Sequence, residues 1–161
     1  MPAILISDAN ILIDMEEGGI LADMFRLPYE FATPDILYEE ELSEEHAHLI
    51  DLGLVLKEVN SNSMAYVIQL TETYTRTSRY DCFALALAKQ ENCPLLTGDM
   101  ALRQAAEQEQ AQVYGTIWVI EQLITENVIS VERATAAYTL MRSNGRRLPW
   151  DLVQRSLDKF N

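Results

Sequence analysis

Four carboxylate side chains give this sequence its clearest chemical signal. Asp8 and Asp99 each follow a short apolar run that is typical of a buried strand. Asp81 lies near a predicted helix start, and Glu40 lies on a predicted helix. In open α/β sheets, ligands bind at the carboxyl ends of the strands. Carboxylates gathered there repel one another, and a hard divalent cation with oxygen ligands relieves that repulsion, so the four acids predict a metal site.

Each of these acids also has a purely structural interpretation. Asp8 and Asp99 could cap the helices that follow them, which is a common use of aspartate. Asp81 follows Ser78 by three residues, so the pair could form a capping box. Glu40 could be one more solvated acid in a glutamate-rich run. Taken together, two acids at strand ends and two near helix starts are better explained by convergence on one crevice.

The elements that must position these acids alternate along the chain, which is the pattern of βαβ units and a parallel sheet. Strands are predicted at Ala3–Ser7, Glu30–Ala32, Leu54–Val59, Leu95–Thr97 and Gln112–Tyr114. A helix is predicted from Thr33 to about Leu52, with threonine as its cap, and Gly53 should end it. Two further helices close the sequence, separated by a turn at residues 143–145. The predicted fold is a three-layer α/β sandwich with a helical C-terminal extension.

Length and composition favour one domain. The chain has 161 residues and 48% apolar content, enough to bury roughly two-thirds of its unfolded surface. We expect a single domain over residues 1–161, with 128–161 as the helical extension. No apolar run approaches the roughly 20 residues that span a bilayer, and the start lacks the basic residues of a secretory signal, so we expect a cytoplasmic protein without membrane contact. Cys82 and Cys93 have no metal-finger spacing and are predicted to be reduced.

Charge is distributed unevenly along the sequence. The net charge is −13, which argues against simple electrostatic adhesion to nucleic acid. Residues 1–80 carry 15 acids and 4 bases, whereas residues 81–161 carry 10 acids and 8 bases. Most of the bases are arginine, the side chain suited to bidentate pairing with phosphate. The late arginines, Arg146 and Arg147 among them, are therefore candidates for phosphate contacts.

Four short motifs, taken in order, carry a resemblance to a known family. They are Ser7-Asp8-Ala9-Asn10, residues 34–42, residues 80–86, and Leu95-Leu96-Thr97-Gly98-Asp99. In this order the chain resembles the PIN-domain nucleases, and its tail from Val113 onward is similar to a bacterial and archaeal subgroup of them. The resemblance covers essentially the whole chain. It implies a three-layer α/β/α sandwich with a central parallel sheet and acids clustered at its carboxyl edge.

The resemblance also implies a set of site residues. The catalytic and metal-binding acids would be Asp8, Glu40, Asp81 and Asp99, with Mg²⁺ or Mn²⁺ as the cofactor. Asn10 and Thr97 would support them. Glu40 is chosen because it lies three residues after Leu37 and four after Ile36, on the edge of a buried helix face. Glu41 is the alternative.

The chemistry that the resemblance implies is hydrolysis of a phosphodiester bond in RNA. One or two divalent ions would clamp the phosphate and lower the pKa of a bound water. No side-chain nucleophile is then needed, and His46 and His48 are expected to be surface residues rather than ligands. A dehalogenase-type phosphatase would need a second aspartate where Asn10 stands. Arg146 and Arg147 would bind RNA.

Partners remain open at this point. Many relatives of this type are toxins restrained by an antitoxin protein, whereas others would be free-standing RNA-processing enzymes. We expect RNA as the substrate, association between copies of the chain, and an antitoxin partner if the protein is a toxin. The alternative function is a PIN-like binding module with little or no catalysis, which the overall acidity favours and the four retained acids oppose.

Overall fold

A parallel β-sheet organises the molecule. The structure is a computed structural model that describes residues 2–161. Within these residues the sheet has five strands, β1 (Ala3–Ser7), β2 (Tyr29–Pro34), β3 (Val55–Lys57), β4 (Leu95–Leu96) and β5 (Val113–Tyr114). Their order across the sheet is β3-β2-β1-β4-β5, and every neighbouring pair is parallel. The predicted strands are all present, and β1 has the predicted bounds.

Helices form the layers that cover the sheet. They are α1 (Ala9–Glu17), α2 (Leu21–Met24), α3 (Asp35–Leu37), α4 (Leu49–Leu52), α5 (Ser61–Thr73), α6 (Arg79–Glu91), α7 (Met100–Gln108), α8 (Thr116–Thr125), α9 (Val131–Ser143) and α10 (Trp150–Asp158). One group is built around α6, which packs against α5, α7 and strands β1, β2 and β4. A second group contains α1, α2, α8 and α9. The predicted three-layer α/β/α fold with a parallel sheet is confirmed.

The centre of the core is helix α6. Residues 82–88 read Cys-Phe-Ala-Leu-Ala-Leu-Ala, and all seven are buried. A helix that is apolar on every side belongs in an interior, and the alanines allow neighbouring elements to approach closely. Asp81 lies one residue before this run, in the first turn of α6. The packing that buries α6 therefore also carries Asp81 into the interior.

The long helix predicted from Thr33 to Leu52 is wrong. Thr33 stays in β2, where its hydroxyl donates to the carbonyl oxygen of Ser7 at 3.0 Å. Only three residues of α3 follow, and then the chain forms a π-helical turn at Tyr38–Leu42. Glutamates at 39, 40, 41, 44 and 45 place like charges three and four residues apart, which disfavours a continuous α-helix. The predicted end at Gly53 is confirmed, with a φ of 124° that favours glycine.

The C-terminal segment folds back onto the rest of the molecule. Helix α9 packs against α1, and α10 packs against α8. The predicted turn between them is confirmed, with Gly145 at a φ of 82°. This turn delivers Arg146 and Arg147 to the end of the sheet where β1 and β4 finish. Within residues 2–161, no helix has both the length and the apolar character needed to cross a membrane.

Candidate active site

Asp8 and Asp99 lie at the carboxyl ends of adjacent strands. The Asp8 amide donates to the carbonyl oxygen of Leu96 at 3.0 Å, which continues the pairing of β1 with β4. Asp8 Oδ1 accepts from the Ile11 amide at 3.0 Å, and Asp99 Oδ1 accepts from the Leu102 amide at 2.9 Å. The predicted capping roles are therefore confirmed. Each cap uses one carboxylate oxygen, so capping is compatible with a second role for the other oxygen.

Thr97 connects the two acids through one hydroxyl group. Its Oγ1 donates to Asp8 Oδ2 at 2.5 Å and accepts from the Asp99 amide at 3.0 Å. Thr97 is fully buried, as is Asp8. A hydroxyl can donate one hydrogen bond and accept others, which is what this position requires. Thr97 thus holds the orientation of Asp8 and the path of the chain into Asp99.

Asp81 joins the same group from helix α6. Its amide donates to the hydroxyl of Ser78 at 3.1 Å, which caps the helix and fixes its first turn. The pKa of Asp81 is raised to about 6, chiefly by burial and also by the charges of Asp99 and Glu41, against an opposing hydrogen bond with Ser78. Asp81, Asp99 and Glu41 therefore share one electrostatic environment.

The glutamate whose charge reaches Asp81 is Glu41. Both glutamates are exposed residues, and partial desolvation of the Glu41 carboxyl raises its pKa. The π-helical turn accounts for this difference from the sequence argument. Its characteristic bond joins the Ser43 amide to the carbonyl oxygen of Tyr38 at 2.8 Å, five residues apart. The buried residues of this turn are Tyr38 and Leu42, and the extra residue per turn brings the charge of Glu41, rather than that of Glu40, to bear on Asp81.

Asp8 is the most perturbed acid of the group. Its pKa is raised to about 7, chiefly by burial and also by the charges of Asp81 and Asp14, against the opposing hydrogen bonds from Thr97 and Ile11. A nearby cation favours the ionised form of a carboxylate and reverses such a shift. Buried oxygen donors with excess negative charge are the donor set that Mg²⁺ and Mn²⁺ prefer. In donor chemistry the residues present therefore fit a hard divalent cation, but within residues 2–161 no three of these acids bring carboxylate oxygens within 4.8 Å of one another, so a bound ion would have to draw them closer.

Sequence reasoning missed Asp14, which is buried behind the acids. Its Oδ2 accepts from the hydroxyl of Thr116 at 2.7 Å, and its Oδ1 accepts from Arg146 Nε at 2.6 Å. Arg146 Nη2 also donates to the carbonyl oxygen of Asn10 at 3.5 Å. The available signal was an aspartate inside the apolar run Ile11-Leu12-Ile13-Asp14-Met15. An acid in such a run needs a buried partner, and here the partner is 132 residues away.

A groove of about 380 Å³ opens beside Asp99. It is lined by Asn10, Asp14, Gly98, Asp99, Gly145, Arg146 and Arg147. The two predicted arginines differ in their surroundings. Arg146 is held against Asp14 and is half-buried, whereas Arg147 is exposed. The groove thus combines an acid at one side with a cationic rim at the other.

Comparison with known proteins identifies the family of the chain. A family model described as PIN domain matches residues 4–161. The chain belongs to the PIN-domain family. The predicted resemblance is confirmed, and this PIN domain has the fold of a family of nucleases that generally act on nucleic acids with divalent metals. No curated protein sequence matches the chain.

Proposed function

We propose that this PIN domain is a metal-dependent ribonuclease that hydrolyses phosphodiester bonds with water as the nucleophile. The observation that carries the proposal is the burial of Asp8 and Asp81 beside Asp99, with pKa values of about 7 and about 6 for the first two. Acids perturbed to this degree cluster at functional sites, because folding alone gains nothing from confining like charges. The family membership supplies the reaction class.

The proposed metal ligands are Asp8, Asp81, Asp99 and one glutamate. Between the two candidates, the coupling to Asp81 favours Glu41 over Glu40. Mg²⁺ or Mn²⁺, when bound, would polarise the scissile phosphate and lower the pKa of a bound water. The protein fixes the orientation of two ligand side chains before an ion binds. The Ile11 amide donates to the Asp8 carboxylate, and the Leu102 amide donates to the Asp99 carboxylate. Thr97 keeps one Asp8 oxygen turned toward β4.

We propose that substrate binds in a second groove that shares Gly98 with the groove beside Asp99. This second groove has a volume of about 500 Å³, and its lining includes Met100, Arg103, Trp118, Arg147, Leu148 and Leu152. Apolar and aromatic walls with two arginines suit an unpaired nucleotide, whose base stacks while its phosphate pairs with a guanidinium. Arg147 lines both grooves, so it is the arginine we propose for phosphate contact. Arg146 would instead position Asp14. RNA is preferred over DNA because of the family.

The test is a cleavage assay on matched single-stranded and duplex RNA and DNA, with Mn²⁺, Mg²⁺ or EDTA. We expect metal-dependent cleavage of single-stranded RNA by the wild type and none by Asp8→Asn. Asp51→Asn removes an exposed aspartate on α4 and serves as the matched control. Equal cleavage in EDTA, or activity that persists in Asp8→Asn, would reject the mechanism.

A toxin role is the proposed biological setting, with a basic antitoxin segment as partner and self-association of the chain. The acidic N-terminal half, with 15 acids and 4 bases over residues 1–80, supports a basic partner. Expression in a bacterial host should arrest growth, and Asp99→Asn should relieve the arrest. Harmless expression of an active wild type would favour a free-standing RNA-processing enzyme. Absence of cleavage on every substrate would favour the binding module instead.

A further inference from the structure

The two histidines of the chain meet at one carboxylate. His46 and His48 are the only histidines in the sequence. His48 Nε2 lies 2.6 Å from Glu16 Oε1, and His46 Nδ1 contacts the other oxygen of the same side chain. The two rings therefore contact a side chain of α1, while His48 remains an exposed residue, as expected. Glu16 lies in the last turn of α1, so the contacts join α1 to the segment that follows the π-helical turn.

The broken helix is what makes this convergence possible. On a continuous α-helix, residues two apart point to different sides. In this structure residues 43–48 form turns instead, and the rings of His46 and His48 have centroids 6.2 Å apart. Both rings then reach back to the same side chain of α1. Nothing in the sequence pattern places Glu16 next to residues 30 positions later.

Geometry and charge at this cluster suit a metal ion. One ligand atom from each of the three side chains lies within 4.8 Å of the other two. Ligands about 2.0–2.2 Å from a tetrahedral ion lie roughly 3.4 Å apart, so small side-chain rotations would close the site. Within residues 2–161, the basic side chains at salt-bridge distance from Glu16 are these two histidines. Exposed glutamates at 39, 44 and 45 make the surroundings negative, which attracts cations.

We propose that Glu16, His46 and His48 bind a divalent transition-metal ion of the zinc class, at a site separate from the acid cluster. Imidazole nitrogens suit Zn²⁺, Co²⁺ and Ni²⁺, whereas Mg²⁺ and Mn²⁺ prefer oxygen. His48 is 47% exposed and His46 is 14% exposed, so one side of the site is open for entry and for a water ligand. The bound ion would fasten the segment after Glu41 to the helix that starts at Asp8.

A competition titration with a chromophoric zinc chelator tests the site. We expect the wild type to bind one Zn²⁺ that His46→Gln and His48→Gln bind at least tenfold more weakly, since loss of an outer-shell partner alone costs about 10–100-fold. Glu44→Gln, which removes a neighbouring exposed acid, should bind as the wild type does. Asp8→Asn should also retain this Zn²⁺. Equal affinity of the double His46→Gln/His48→Gln variant and the wild type would overturn the proposal.

A second measurement needs no variant and is independent of nuclease activity. Carbethoxylation of the two histidines, mapped by mass spectrometry, should be slowed at both positions by Zn²⁺ and unaffected by Mg²⁺. Imidazole NMR signals should shift at one molar equivalent of Zn²⁺. Unchanged modification rates and unchanged imidazole signals with Zn²⁺ would exclude the site, whether or not the protein cleaves RNA.

Discussion

Replacement of Asp8 by asparagine should make the metal-free protein more stable while it removes activity. The side chain is fully buried, and its pKa rises from 3.8 to about 7. At about 1.4 kcal/mol per pKa unit, holding the ionised form in the folded state costs at most about 4 kcal/mol. Asparagine removes the charge but keeps a carbonyl oxygen that can accept from the Ile11 amide.

The gain should depend on pH in a defined direction. Unfolded chains release this proton near pH 4, whereas the folded state holds it to about pH 7. Between these values the folded state binds more protons, so the Asp8 contribution to stability falls as pH rises. The advantage of Asp8→Asn over the wild type should therefore be about 1.5 kcal/mol at pH 5 and about 4 kcal/mol at pH 8.

Urea unfolding in EDTA at pH 5, 6.5 and 8 measures this difference directly. The m-values of wild type and variant should agree, so that the free energies of unfolding can be compared. Asp51→Asn, at an exposed position, controls for the general loss of one negative charge. A variant that is less stable than the wild type at pH 8, or a difference that does not grow with pH, would refute the argument from burial.

Three further predictions concern the ion, the glutamates and the arginines. Mg²⁺ at 100 times its Kd should raise the free energy of unfolding by roughly 2.7 kcal/mol. A melting temperature that neither Mg²⁺ nor Mn²⁺ changes would contradict a cation site. Glu41→Gln should lower cleavage rates far more than Glu40→Gln, because the charge of Glu41 reaches Asp81. A larger loss of rate in Glu40→Gln than in Glu41→Gln would identify Glu40 as the ligand instead. Arg146→Ala should destabilise the fold by about 3 kcal/mol because Asp14 loses its buried partner. Arg147→Ala should instead weaken RNA binding and reduce its salt dependence by about one charge, and equal unfolding curves for the two arginine variants would refute this division.

The parts that could be predicted from sequence rest on local signals. Strand β1 is an apolar run closed by Asp8, and the same combination of apolar run and acid marks β4 and Asp99. Helix α6 follows from its continuous apolar stretch. Because parallel strands end at one edge, adjacency of the two strand-end acids follows from the fold class alone.

The parts that could not be predicted depend on tertiary contacts. Threonine is a common helix N-cap, but the Thr33 hydroxyl instead donates a hydrogen bond to the carbonyl oxygen of Ser7 in the neighbouring strand. The choice of Glu41 over Glu40 as the glutamate whose charge reaches the acids depends on a π-helical turn, and the run of glutamates gives no local signal for that turn. The partnership of Asp14 with Arg146 spans 132 residues, and no local pattern encodes such a distance.

The contact between Asp14 and Arg146 also affects when the acidic site can fold during synthesis of the chain. Chains fold from the N-terminus as they are synthesised, and Asp8 and Asp14 are made well before Arg146. The cation that neutralises Asp14 is added only after the turn at Gly145. A chain ended at Asn144 should therefore unfold at lower urea concentration than one that includes Arg146, and equal midpoints would contradict this. During synthesis, the acids of this PIN domain would therefore reach their supported arrangement only after the turn at Gly145 and Arg146 have been made.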